Sequence, residues 1–459
     1  MRRYLMFMAG IVMILAVVLG CENRGSNITP MDLGDLEGWG GLYPLADHGF
    51  GKPLTLQLRN PQELLLGTAY LPPGAMDIPP TRPMPLLILL APETGTKYYY
   101  FKAGLSELVG ELTASGQIQP MVIYCMSSDQ TFGGYFYGDS DPAGHYDRIF
   151  HYDLAWDNTP IDSTADLLRY LHSAYPSTIK SPAKRGIGGI GQGAYGAFRA
   201  AIKNPGVYSS ISVADGPLDF DGPDGSSGLM DLFDGAIAEQ EALYALDPEL
   251  DSAHNPIPFD LKRHFDSAQS APISMTFIGG ALAFSPNDSV AYQRFIDVQV
   301  IQGVSYYTRR LVIDTAHWSK IADSRLSGGG DSTTFIGDVV RGNPSLYNID
   351  LDFHLPFDAN GNVYQPIWDR WMASNLENMF VAEGSDPLDG VNMWFATNPN
   401  AHWNYYQMTQ SWMDFLRSQG HELEEYRYSS YNDDPVVNDE YLFDILREML
   451  IFHSNNFGK

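Results

Sequence analysis

Gly189-Ile190-Gly191-Gln192-Gly193-Ala194-Tyr195-Gly196-Ala197 is the stretch that decides how this chain folds. Residues 186–190 before it read as a short strand, and residues 194–203 after it carry apolar positions at helical spacing. Between them the glycines allow a turn too sharp for most side chains. Such a turn sits where a strand ends and a helix begins.

Outward from that turn the same alternation repeats. A helix over 161–174 precedes it and a strand over 207–213 follows. Farther upstream the apolar runs 86–90 and 121–125 are continuous, as in parallel strands covered on both faces, and 101–115 between them is helical in spacing. Downstream come a strand over 391–396, a helix over 405–418, a strand over 422–428 and a helix over 438–452. Strand and helix alternating in this way predict a doubly wound, mostly parallel α/β sheet. Near the start, 54–59 and 63–71 read as an antiparallel pair at the sheet edge. The stretch 221–389 is too long for a loop. It holds helical residues 228–246, strand-like pieces at 273–278 and 310–313, and the glycine-rich Ser327-Gly-Gly-Gly-Asp331. We read it as an insertion or cap within one domain spanning 46–459. No internal repeat is visible.

The first residues carry a different signal. Arg2 and Arg3 precede an uncharged apolar run that ends at Val18-Leu19-Gly20-Cys21. This predicts a bacterial lipoprotein signal peptide over 1–20, lipidation at Cys21 and a polar tether over 21–45. The chain would then be exported and lipid-anchored at the cell envelope, periplasmic or surface-exposed. Hydrophobic residues make up 44% and charged residues 18%, so the chain can build a core and is no disordered polyampholyte. A net charge of −27 argues against nucleic acid as a partner, because phosphate backbones are met with positive charge. Two cysteines exclude a disulfide scaffold, and lipidation of Cys21 would leave Cys125 alone.

On the glycine turn and its helix, the chain resembles the esterase-D-like branch of the α/β-hydrolases. Pro85-Leu-Leu-Ile-Leu-Leu-Ala91, the segment Leu112 to Val122, the helix running on to Pro205-Gly206, and Leu355-Pro-Phe-Asp358 with Trp368 and Trp371 match in order. The resemblance covers about 85–452 and implies an α/β-hydrolase fold, a serine nucleophile at the turn, an acid, a histidine and an oxyanion loop.

This sequence departs from that pattern at each of those positions. Gly191 stands where the nucleophile is implied, and no G-x-S-x-G occurs elsewhere. The acid is implied after 391–396, where Asn400 is the best match and Asn398 the second. The histidine is implied after 422–428, where Asn432 stands. The oxyanion loop reads Ala91-Pro92-Glu93-Thr94, in which Pro92 lacks an N–H and Glu93 brings a negative charge. Glycine cannot attack a carbonyl and an asparagine amide is no base near neutral pH. We therefore expect an esterase-family fold that has lost serine-hydrolase activity and binds a ligand, a glycan or a protein partner. Pro92, Glu93, Tyr98, Tyr135, Gln192 and His402 are the candidates to line the old pocket. An active carboxylic-ester hydrolase with a non-standard site is the competing expectation.

Other constellations are weaker. Asp139, Asp141, His145 and Asp147 lie close together but read as a polar turn, and Asp358-Ala-Asn-Gly-Asn362 lacks the glycine a calcium loop needs. Asp314 and His317 have no nucleophile beside them, and no Cys/His cluster fits zinc. No metal or cofactor is expected. The aromatic content of 13% includes Trp368, Trp371, Trp394, Trp403 and Trp412, which we read mainly as core. Tyr98 and Tyr135 to Tyr137 fall in loops that follow strands, where rings line either a ligand crevice or the core.

Overall fold

The computed structural model describes residues 53–57, 64–75, 82–126 (except 94 and 96), 136–150 (except 141–143), 167–245 (except 224 and 226), 272–286, 292–301, 304–314, 333–335, 354–428 (except 358–361) and 439–458. Residues 1–52, and with them Cys21 and the tether, lie outside the described residues, as do Tyr135, Asn432, His317 and the glycine-rich 327–331.

Eight strands form the central sheet: β1 (Pro53–Gln57), β2 (Leu64–Tyr70), β3 (Leu86–Leu90), β4 (Val122–Met126), β5 (Arg185–Ile190), β6 (Ser210–Ala214), β7 (Asn392–Thr397) and β8 (Leu423–Arg427). Their spatial order is 1-2-4-3-5-6-7-8. β2 runs antiparallel to both β1 and β4, and β3 to β8 pair in parallel. This is the α/β-hydrolase order, with the antiparallel N-terminal edge that alternation in 54–59 predicts.

The continuous apolar runs are explained by burial on both faces. In β3, Leu86, Ile88 and Leu90 join one core cluster, while Leu87 and Leu89 point into the other. The first cluster packs under α3 (Gln192–Lys203) and α8 (Tyr405–Ser418) through Phe198, Trp412 and Leu416. The second packs under α1 (Leu105–Ala114) and α9 (Asp439–Asn456) through Leu108, Leu112, Ile445 and Met449. Helices on both faces of one sheet make a doubly wound layer structure.

The insertion corrects one expectation. Residues 273–278 belong to helix α5 (Pro272–Phe284), not to a strand. A short run apolar on every side has no readable period, so strand and buried helix look alike in sequence. The helix is settled by its surroundings: Glu239, on α4 (Phe233–Ala245), accepts the N–H groups of Ile273 (3.1 Å) and Ser274 (2.7 Å) at its first turn. The piece at 310–313 is a strand, part of Val304–Asp314, which pairs antiparallel with Tyr292–Ile301. Trp368, Trp371, Trp394 and Trp412 are all buried, as a core reading requires. No helix among the described residues is long and apolar enough to cross a membrane.

Candidate functional site

Parallel strands β3, β5, β6 and β7 all end on the same side, and their loops converge there. At the centre, β5 passes into α3 through Gly191, whose φ of 56° and ψ of −126° lie in a region that non-glycine residues enter only with strain. The Gly191 N–H donates to Asp215 O (2.9 Å) and Ala214 O (3.2 Å), which pins the turn to the end of β6. Close approach explains a second glycine: a Cβ on Gly193 would lie 2.1 Å from Leu90 O, so only glycine lets α3 start against β3.

Glu93 fills the place beside this turn. It is buried (2% exposed), and its Oε2 accepts the backbone N–H of Gln192 at 3.0 Å. A Cβ built on Gly191 would lie 2.5 Å from the same Oε2 and 3.2 Å from the Pro92 Cβ. The carboxylate thus lies where a side chain at position 191 would project. It also sits at the positive end of the α3 dipole, where an anion is favoured. The hydroxyl of Tyr405, the first residue of α8, lies beside Glu93, and burial followed by the carboxylate's charge pushes its pKa well up.

Gln192 is wholly buried, and its Oε1 accepts the N–H of Phe136 (3.1 Å). That bond fixes which end of the amide is oxygen, because an N–H needs an acceptor. Its Nε2 is then a buried donor with no acceptor among the described residues.

Asp215 was not among the residues singled out in the sequence. It follows β6 directly, is buried, and accepts the Asn398 N–H on both carboxylate oxygens (3.2 and 3.0 Å). The Tyr441 hydroxyl stands 3.4 Å from Oδ2. Burial pushes the Asp215 carboxyl well above the ordinary range. Tyr405 and Asp215 were missed for one reason: each lies one residue beyond a strand end or at a helix start, with no local motif around it.

The other candidates fall as follows. Asn398 is buried, with its Oδ1 accepting the Asn400 N–H at 3.0 Å, while Asn400 itself is exposed. Pro92 and Tyr98 are buried. His402 begins the short 3-10 helix His402–Asn404. Phe136 and Tyr137, read as lining either a crevice or the core, are core residues with no exposure. Asp147, from the polar turn, forms a two-oxygen pair with Arg199 on α3 (3.0 and 2.9 Å), and the described residues hold no group of three or more potential metal ligands.

Strain gathers at this site. Among the described residues, the non-glycine residues with positive φ are Phe136, Tyr137, Asp215, Trp403 and Asn404. Phe136 bonds Gln192, the Tyr137 hydroxyl donates to Ala91 O (2.9 Å), Asp215 O holds Gly191, and Trp403 and Asn404 deliver Tyr405 to Glu93. Backbone strain persists only where the surroundings enforce it, and it tends to cluster at functional sites.

The sequence matches no family model and no curated protein. Among solved structures it is similar to a ferulic acid esterase, at 12% identity and a TM-score of 0.46 over 89% of this chain and 98% of that one. An S-formylglutathione hydrolase from Agrobacterium tumefaciens matches at 12% identity and TM-score 0.44, over 90% of this chain and 98% of the other. MPT51 (FbpC1) of Mycobacterium tuberculosis matches at 11% identity and TM-score 0.36, over 89% and 97%. The chain's own strand order and its glycine turn between β5 and α3 give it the α/β-hydrolase fold.

Proposed function

We propose that this chain is an exported lipoprotein, anchored through Cys21, whose α/β-hydrolase fold no longer hydrolyses esters and serves to bind a ligand or partner at the cell envelope. The observation that carries this reading is the Glu93 carboxylate on the Gln192 N–H. In a working serine hydrolase the N–H after the nucleophile stabilises the oxyanion of the tetrahedral intermediate. Here a resident anion holds that donor, and its charge would repel a developing oxyanion. Gly191 offers no nucleophile, and the two positions matched to acid and base, Asn400 and Asn432, offer neither charge nor basicity. Together these changes remove the nucleophile, its base, its acid and a free oxyanion donor.

The test uses the chain with Cys21→Ser, beside an active esterase. It is treated with a serine-reactive fluorophosphonate and with a short-chain nitrophenyl ester. We expect no labelling and no turnover above a heat-denatured sample. Labelling that maps to one serine would overturn the reading in favour of an ester hydrolase with a non-standard site.

A further inference from the structure

We propose that strand β8, the open edge of the central sheet, is where two copies of this chain join, antiparallel and centred on Tyr426, so that their sheets become one. The join is independent of whether the chain hydrolyses esters.

β8 is last in the sheet order and pairs on one side only, with β7. Along a strand, the backbone groups of successive residues point alternately to its two sides. The Tyr428 N–H donates to Thr397 O at the end of β7 (2.9 Å), so the backbone groups of Tyr426 and Glu424 face β7 as well. Those of Glu425 and Arg427 therefore face outward, and no described residue bonds them. Such a row is a template for another strand, which proteins commonly blunt with charge. Here the charges are of both signs and complement a second copy of themselves.

A twofold antiparallel pair is centred on one residue, which lies opposite itself, and charge selects that residue. Centring on Glu424 or Glu425 sets two carboxylates face to face, and centring on Leu423 sets Glu422 opposite Glu424. Centring on Arg427 sets two guanidiniums together. Like charges directly opposite are destabilising. Centring on Tyr426 puts Glu425 of each copy opposite Arg427 of the other, bonded through the outward backbone groups. Glu425 already accepts from Arg427 and from Arg417 on α8, both at 2.9 Å, so carboxylate and guanidinium alternate across the join. Tyr426, 49% exposed, meets its own copy at a position where side chains lie close. Its ring centroid stands 4.5 Å from that of Tyr428, so the join extends an aromatic row. A single strand of five residues makes less than a standard interface, so the pairing is weak and is best read by covalent capture.

At the centre of the join the two Cα atoms would stand about 4.5 Å apart, within reach of a disulfide. The full chain is expressed in a bacterium with Tyr426→Cys or with Glu424→Cys, which lies on the same strand face. The register sets the two copies of position 424 four residues out of step, about 13 Å along the strand and too far to bridge. After mild oxidation, a non-reducing gel is expected to show at least ~5-fold more reducible species at the mass of two chains for Y426C than for E424C. Adding Arg427→Glu to Y426C should cut that species at least ~5-fold. Co-expressing Y426C/R427E with Y426C/E425R should restore it, because an acidic strand then faces a basic one. Equal capture by Y426C and E424C overturns the proposal, as does capture indifferent to R427E. A Y426C disulfide to a different protein also overturns it, by putting a foreign strand in place of the second copy. Should Y426C fold poorly, sedimentation equilibrium compares the Cys21→Ser chain with and without R427E. A dissociation constant at least ~10-fold weaker with R427E supports the join, and equal constants overturn it.

Discussion

At residue 191 two separate constraints oppose a side chain. The φ of 56° strains any L residue, and the Cβ would stand 2.5 Å from Glu93 Oε2. Gly191→Ser should therefore destabilise the fold by ~2–4 kcal/mol, read by urea unfolding, and should gain no fluorophosphonate labelling. Only the second constraint involves Glu93, so G191S placed on Glu93→Ala should recover part of the loss, with a coupling of ~1 kcal/mol or more. Asp215 makes a different prediction. Burial holds its carboxyl protonated above the ordinary range, so its contribution is fully present below about 3.8 and is lost as pH rises through the folded pKa. Asp215→Asn, which keeps an acceptor for the Asn398 N–H, should leave the protein as stable or more stable at pH 7 and less favoured relative to the wild type at pH 4. The glycine turn was legible in sequence because its residues are contiguous. Glu93 was visible there only as a misplaced charge; its bond to Gln192 spans 99 positions, and no local spacing encodes it.

Among the elements, α9 and α5 show how packing decides what propensity leaves open. His453, near the end of α9, is wholly buried and shares its two ring nitrogens between the hydroxyls of Ser210 and Ser212 on β6, both at 2.7 Å. Burial pushes its pKa down to about 3. An unfolded histidine protonates near about 6.5, so this contribution is intact above that pH and is lost as pH falls toward the folded value, at a slope of at most ~1.4 kcal/mol per unit. Asp215 acts in the opposite sense over part of that range. His453→Gln should cost ~1–3 kcal/mol at pH 7.5, and the gap to the wild type should narrow at pH 4.5, as measured by guanidinium unfolding at both. On α5, Gly280→Ala would ordinarily raise helix propensity by about 1 kcal/mol. Here the new methyl would stand 2.4 Å from the Trp371 indole, a rigid and fully buried ring, so a net loss of ~1–3 kcal/mol and a lower Tm are expected. That contact also explains why the α5 segment misled: its buried face is written in Trp371 and Glu239, neither of which lies within the segment.

For the whole molecule, the sheet was legible because its strands announce themselves twice. Leu86 to Leu90 and Val122 to Met126 are buried at every position, which only a doubly covered strand requires, and the intervening helices carry a plain apolar stripe. The insertion was not, since its pieces pack on residues far along the chain rather than on their neighbours. The proposed anchor belongs to this scale too, because it would decide what the domain can meet. With a net charge of −27, the chain would be repelled by an anionic membrane surface, and electrostatics alone would not hold it there. A single acyl chain binds a membrane only marginally, so lasting attachment needs a second signal such as a second chain, which diacylglycerol on Cys21 would supply. Expressed in a bacterium fed labelled palmitate, the full chain should take up label and partition with membranes even in high salt. Cys21→Ser should lose both label and partitioning while keeping its fold. Partitioning that survived C21S but was washed off by salt would instead mean that charge, not lipid, holds the protein in place, and the envelope role proposed for this chain would lose its anchor.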